Sequence, residues 1–243
     1  MRVLEWLREQ IAPLAEAQPR SAADRAGGWV VLVAGLAMVV GLTAYNLQPY
    51  SIAMVGMGRS WEEYLVVNLC ALVLIPSVAT SLAPGLDWAG LGWRRSAPGS
   101  AHVAALLLLL MVPLLLAVSR LPDFQAYYPL QPEAAHSWRH FAYHQFTYGA
   151  YLFAWEAFFR GFLTFGLARL TGVVPAILLQ AVAFGVMHVG KPPLEVAGSF
   201  FGGAVLGVLA VRARSFLPCF WLHWAISAGL DVLVIAARPG GIF

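Results

Sequence analysis

Five ionisable side chains interrupt apolar stretches in the C-terminal half of this 243-residue chain: Glu156, Arg160, His188, His223 and Asp231. The apolar stretches of the N-terminal half carry none away from their ends. A charge at mid-bilayer costs roughly 2.5–3.5 kcal/mol on insertion scales, so such groups face a protein interior or a wet cavity and mark a proton, ion or catalytic site. Glu156 and Arg160 stand four apart, on one helical face and within ion-pairing reach. His188 closes the run Phe184-Gly185-Val186-Met187-His188, and His223 is followed on much the same face by Ser227 and, further round, by Asp231. A carboxylate and two imidazoles supply what peptide hydrolysis needs: one group takes a proton from water, and others donate hydrogen bonds to the developing oxyanion. The same trio can hold zinc, as two His and one carboxylate with an open position. It also suits a polar knot that locks four helices together.

The elements that must position these groups follow from composition. Hydrophobic residues make up 60% of the chain and charged residues 11%, with a mean hydropathy of +0.73. A soluble domain carries about 25% charged residues, so the polar side chains here cannot coat a globule. The chain reads as an integral membrane protein. Backbone groups in lipid must be satisfied within the segment, and the alternation of a membrane barrel is absent, which leaves an all-α, polytopic transmembrane bundle. About seven spans of ~20 residues are expected, near 29–46, 64–83, 102–120, 146–168, 173–190, 194–211 and 217–237. Residues 1–28 form a separate lead-in, and 29–243 a single transmembrane domain. Leu4, Leu7, Ile11 and Leu14 share one face of that lead-in, the pattern of an interfacial amphipathic helix. Cys70 and Cys219 sit in apolar segments as small hydrophobes, not as a disulfide framework. Gly198-x-x-x-Gly202 and Gly203-x-x-x-Gly207 in the sixth span are read as packing inside the bundle.

Nine basic residues fall on one side of this arrangement and five on the other, which places the N-terminus in the cytoplasm. The fourth and fifth spans form a hairpin turning near Thr171, with Glu156 15 residues before that point and His188 17 after it. The two therefore reach similar depth. His223 is only about six residues into its span, a shortfall on the order of 13 Å at 1.5 Å per residue. Either the 212–216 connection dips into the bundle, or the helix boundaries differ.

Three stretches in chain order match motifs of one family. Trp155-Glu156-Ala157-Phe158-Phe159-Arg160-Gly161-Phe162-Leu163 is similar to Glu-Glu-x-x-x-Arg followed by Gly-Phe-Leu; Phe184 to His188 matches Phe-x-x-x-His; and His223 with Ser227 matches His-x-x-x-Asn. The chain thus resembles, over roughly 90–237, the CPBP intramembrane proteases, a group that includes type II CAAX prenyl endopeptidases and bacterial Abi and bacteriocin-immunity proteins. Two positions depart: Trp155 replaces the first Glu, generally taken as the water-activating one, and Ser227 replaces Asn. A helical step of about 100° separates positions 155 and 156, so Glu156 takes over the lost role only with a rotation or a reoriented rotamer.

The resemblance implies an intramembrane endopeptidase acting on a peptide or a protein's C-terminal tail, in a cavity among the last four spans. In it Glu156, with His188, activates water; His223 and Ser227 supply oxyanion contacts; Arg160 holds Glu156, and Phe184 and Asp231 support the site. Asp231 is read as hydrogen-bonded to a neighbouring helix, with compensation for the missing Glu as the alternative. No cofactor is firmly implied, zinc on Glu156, His188 and His223 being the one option. The partners are a tail substrate and membrane lipid; a net charge of +3 with scattered arginines argues against nucleic acid. The implied location is a bacterial inner membrane. Two other functions fit the same residues: a non-catalytic scaffold or immunity protein, and a proton-coupled transporter, against which stand the confinement of charges to one half and the lack of an inverted repeat. His136, His140 and His144, spaced by four, would form a stripe near the membrane surface if 135–146 were helical, and such a stripe is read as an exposed lead-in more than a zinc or pH-responsive site.

Overall fold

The computed structural model describes residues 21–47, 60–240 and 242, and all regular elements among them are helical. The order is α1 (Ala22–Asn46), α2 (Trp61–Leu82), α3 (Ser100–Val118), the short α4 (Pro122–Tyr127), a 3-10 turn (Pro132–Ala135) and α5 (Trp138–Glu156). A π-helix, Ala157–Leu163, runs from the end of α5 straight into α6 (Thr164–Thr171); α7 (Val173–Val186), α8 (Pro193–Ala213) and α9 (Leu217–Ala236) follow. The amphipathic lead-in around Leu4, Leu7, Ile11 and Leu14 lies outside the described residues. Serines start three of the helices: Ser21, Ser60 and Ser137 each accept from the backbone N–H of the third residue on.

Among the described residues five helices, α1, α2, α3, α8 and α9, are long and apolar enough to cross a membrane, and α7 is a shorter apolar helix. The seven expected spans are thus reproduced as five, plus α7 and the continuous α5–π–α6 run that contains 146–168. At 1.5 Å per residue the 14 residues of α7 reach about 21 Å, less than a ~30 Å hydrocarbon core. Its early end leaves His188 in the turn beyond it, where the His188 N–H bonds the Gly185 carbonyl.

Polarity is inverted relative to a water-soluble globule. Val33, Leu36, Leu74, Leu106, Leu109 and Phe201 are each more than half exposed, whereas Glu156, Arg160, Thr164, Gln180 and Asp231 are completely buried. Exposed aliphatic surface on the outer helices and buried charge within is the distribution a lipid-embedded bundle requires. The central element is the α5–π run, whose Leu152, Trp155, Phe158, Phe159 and Phe162 belong to the main core. Around it α1 packs on α2 and α6, α7 on α6 and α8, and α9 on α3 and α5.

Small residues decide one close contact. A Cβ on Gly203 would come within 3.0 Å of the Ala181 Cα, and one on Gly207 within 2.7 Å of the Gln180 side chain, so α7 and α8 approach through this pair. Gly198 and Gly202 have open space over the same position, so only the second of the two small-residue motifs packs inside the bundle. Gly203→Val should therefore lower stability by roughly 1–3 kcal/mol through overpacking, while Gly198→Val leaves the thermal midpoint of the detergent-solubilised protein within error of wild type.

Candidate active site

Glu156 is the last residue of α5, and the π-helix begins immediately after it. In a π turn the backbone bonds run i→i+5, and such turns recur at functional sites. The Thr164 hydroxyl donates to the Phe159 carbonyl five residues back at 2.8 Å, supporting the wider turn. Gly161 lies on the inner side, where an added Cβ would stand 3.0 Å from the Leu91 carbonyl. Hydrophobic periodicity showed a single unbroken span here, because a π stretch changes hydrogen-bond partners without changing residue type.

The Glu156 side chain is shared by two cations or donors. Its Oε1 accepts from Arg160 Nη1 at 3.2 Å and stands 2.6 Å from His223 Nδ1. A carboxylate can only accept, so His223 Nδ1 carries the proton and, in the neutral ring, Nε2 is left as the free base. Glu156 and Arg160 have completely buried side chains, but that of His223 keeps 15% of its surface accessible. His223 is thus the one member of this trio that an incoming molecule reaches. Glu156 Oε2 and Arg160 Nε and Nη2 are buried without partners.

The depth shortfall of His223 is resolved by the connection before α9. Ala213, Ser215 and Phe216 are fully buried, and Arg214 takes a left-handed conformation, φ 53°. The loop after α2 holds this dip from above: Ala97 N–H donates to the Ala213 carbonyl at 2.8 Å, the Arg94 Nε to the Arg214 carbonyl at 2.8 Å, and the Ser215 hydroxyl to the Arg94 carbonyl at 2.8 Å. Both explanations open at the level of sequence contribute: the connection is buried in the bundle, and the fifth span ends at Val186 instead of residue 190.

His188 is placed differently from expectation. Among the described residues it makes no hydrogen bond to Glu156; its Nδ1 donates to the Phe184 carbonyl at 2.7 Å, and its ring meets Trp155 edge-on with centroids 5.9 Å apart. Trp155 therefore faces His188 from the position where the resemblance places the missing Glu, and Glu156, one step round the helix, faces His223 instead. The carboxylate pairs with the other imidazole. Phe184 is the common wall: its ring lies 4.4 Å from His188, 5.9 Å from His223 and 4.0 Å from the Arg160 guanidinium carbon. Cation–π contact of this kind stabilises a buried guanidinium that lacks a full set of acceptors.

Asp231 takes the neighbouring-helix hydrogen bonds read from the sequence, and the histidine stripe is the expectation that changes. Among the described residues no three His, Cys, Asp or Glu side chains stand together in a way that could hold a metal ion. The direct Glu156–His223 bond and the separate orientation of His188 do not fit the two-His-one-carboxylate zinc set. Asp231 is not in the Glu156 site: its Oδ2 accepts from Gln145 Nε2 at 2.8 Å and lies 3.2 Å from His144 Nε2. The histidine stripe does not form, because Pro132 opens a 3-10 turn and Ser137 caps α5, leaving His136 before the helix while His144 is fully buried. Gln145 escaped the sequence reading altogether, there being no signal to separate it from other polar residues of a helix end. Ser227 sits on the Asp231 side of α9, where it meets the Tyr148 hydroxyl.

Residues 140–229 match the family of type II CAAX prenyl endopeptidase Rce1-like proteins. The match spans Glu156, Arg160, Phe184, His188, His223 and Ser227 and bears out the CPBP resemblance carried by the three motifs. No curated protein and no solved structure matches the chain.

The electrostatics of the site give a stability test. Removing one partner of a buried ion pair strands the other, at a cost of about 3–5 kcal/mol. Arg160→Met should lower the thermal stability of the purified protein by that order, and Glu156→Gln in the same background should recover part of the loss.

Proposed function

We propose that this protein is an intramembrane endopeptidase of the CAAX type, cleaving a peptide bond near the C-terminus of a peptide or protein tail. The observation that carries the reading is the 2.6 Å contact between a completely buried Glu156 and a His223 whose side chain stays 15% accessible. Glu156, with its proton-accepting oxygen on Nδ1, fixes the His223 tautomer and stabilises the imidazolium that forms when Nε2 takes a proton from water. The hydroxide attacks the scissile carbonyl; the proton held on His223 then passes to the leaving amine. Arg160 pairs with Glu156 and carries donors, Nε and Nη2, that no protein group occupies. His188, with Nδ1 committed to a carbonyl, presents Nε2 as an acceptor and orients a substrate N–H or water. A small apolar crevice lined by Leu72, Pro76, Trp88, Trp93, Phe153 and Phe162 flanks the segment that bears Glu156, though Glu156, His188 and His223 do not line it.

The orientation we favour puts the end bearing Arg25, Arg94, Arg95, Arg169, Arg212 and Arg214 in the cytoplasm, with a bacterial plasma membrane as the setting. These residues lie together because Arg169 pairs with Asp24 at 3.1 Å and Arg94 bonds the Arg214 carbonyl. Trp155 in place of the first motif Glu favours one second reading, a non-catalytic member of the fold that binds a tail without cutting it.

The experiment uses purified wild type in nanodiscs with a quenched fluorogenic peptide ending in a prenylated CAAX tail, and the same peptide unprenylated. Cleavage should fall by on the order of 10³–10⁴ in Glu156→Gln and in His223→Ala, with rates taken per folded, membrane-inserted protein because Glu156→Gln also strands the buried Arg160. Tail binding by a wild type that cuts neither peptide would support the second reading and end the first.

A further inference from the structure

Two carboxylate–imidazole pairs bridge the same two helices, with the donor and acceptor exchanged. At one end of the seam α5 supplies Glu156 and α9 supplies His223; at the other α5 supplies His144 and α9 supplies Asp231. Between them Tyr148 of α5 meets Ser227 of α9, and the Gly149 backbone lies against the Trp224 ring, where an added Cβ would be 3.0 Å away. The positions run 144, 148, 156 on α5 against 231, 227, 223 on α9, the reversed order that antiparallel helices require. The steps are 4 and 8 on α5 against 4 and 4 on α9, so the contacts stay on the i±4 ridges of both helices and the Glu156–His223 contact runs diagonally, one turn off the line of the other two. Elsewhere along the ridge a one-turn slide of α9 exchanges one apolar side chain for another, so apart from the Gly149–Trp224 contact the apolar packing discriminates weakly between neighbouring depths of His223.

The His144–Asp231 pair removes that ambiguity. Both side chains are fully buried, and Gln145 adds a second donor to the same carboxylate oxygen. His144 is clamped between Trp61, with ring centroids 5.1 Å apart, and Tyr148, at 5.3 Å. A slipped helix would carry the Asp231 carboxylate away from both donors while it stays in an apolar interior. The cluster is a poor source of stability in itself, since Asp231 Oδ1, Gln145 Oε1 and His144 Nδ1 have no partner. Incompletely satisfied buried polar groups of this kind are best explained by the register they impose. We propose that His144 and Asp231 are a positioning pair that sets the register of α9 on α5 and so brings His223 to Glu156. Its consequence for catalysis rests on the endopeptidase reading above; the register itself does not.

The test is nitrogen NMR of protein labelled at its six histidines, in nanodiscs, together with tail cleavage. The His223 signal, assigned by its change in Glu156→Gln, reports an Nδ1–H bonded to a carboxylate. In Asp231→Asn and in His144→Phe that signature should weaken or vanish, with cleavage reduced at least about 100-fold, since a ~1 Å misplacement already costs that much and a one-turn slip moves His223 by about 5 Å. The exchanged variant His144→Asp/Asp231→His should restore both. A His223 signal unchanged in Asp231→Asn would overturn the proposal whether or not the protein cleaves anything. An exchanged variant that inserts normally but leaves His223 unbonded would overturn it as well. If wild type shows the signature but cuts no tail, the endopeptidase reading fails and the register claim is still decided by the NMR arm.

Discussion

A single carboxylate held wholly inside an apolar bundle sets the terms for the rest of this structure. Glu156 has no access to water, and an unmatched charge there would be intolerable in a low-dielectric interior. Arg160, one turn on, supplies a countercharge, and His223 supplies a strong hydrogen bond from a helix distant along the chain. The Arg160 guanidinium needs stabilising in turn and finds it on the Phe184 face. Each of these requirements recruits another element: the π-helix for Arg160, α7 for Phe184, α9 for His223.

Bringing α9 to the right depth takes two devices that act at opposite ends. The buried connection at Ala213–Phe216 lowers the start of α9, and the loop carrying Arg94 and Ala97 holds it there through three backbone-directed hydrogen bonds. At the far end His144, Gln145 and Asp231 tie α9 to α5. Other helix interfaces carry polar contacts too, Trp61–Thr147 and Tyr64–Tyr151 between α2 and α5 and Gln180–Gly203 between α7 and α8, but the α5–α9 seam carries both carboxylate–imidazole pairs. Van der Waals packing, as at Gly203 and Gly207, supplies closeness but little discrimination between neighbouring registers.

Trp155 stands between the two imidazole environments. Its ring packs against His188 and Phe184, while His188 commits Nδ1 to the Phe184 carbonyl and Glu156 meets the other imidazole. The site keeps an acid–imidazole dyad, but composed of different members from those that motif order suggests. Three groups that alignment by motif treats as one unit are here a dyad and a neighbouring imidazole separated by aromatic walls.

The sequence by itself determined the membrane setting, the helical class, the grouping of ionisable residues in the C-terminal half and the family motifs, because all of these depend on composition and short spacing. Glu156 and Arg160 were legible as a pair for the same reason: four residues along one helix fix their geometry locally. Which imidazole Glu156 would meet was not legible, nor was the fate of His144 and Asp231, since 67 and 87 residues separate the partners and helix packing alone joins them. The π-helix also lay beyond reach, as i→i+4 and i→i+5 bonding use the same apolar residues. Local chemistry follows from spacing along the chain; the pairing of distant polar groups follows from depth and rotation of whole helices, and only the packed bundle sets those.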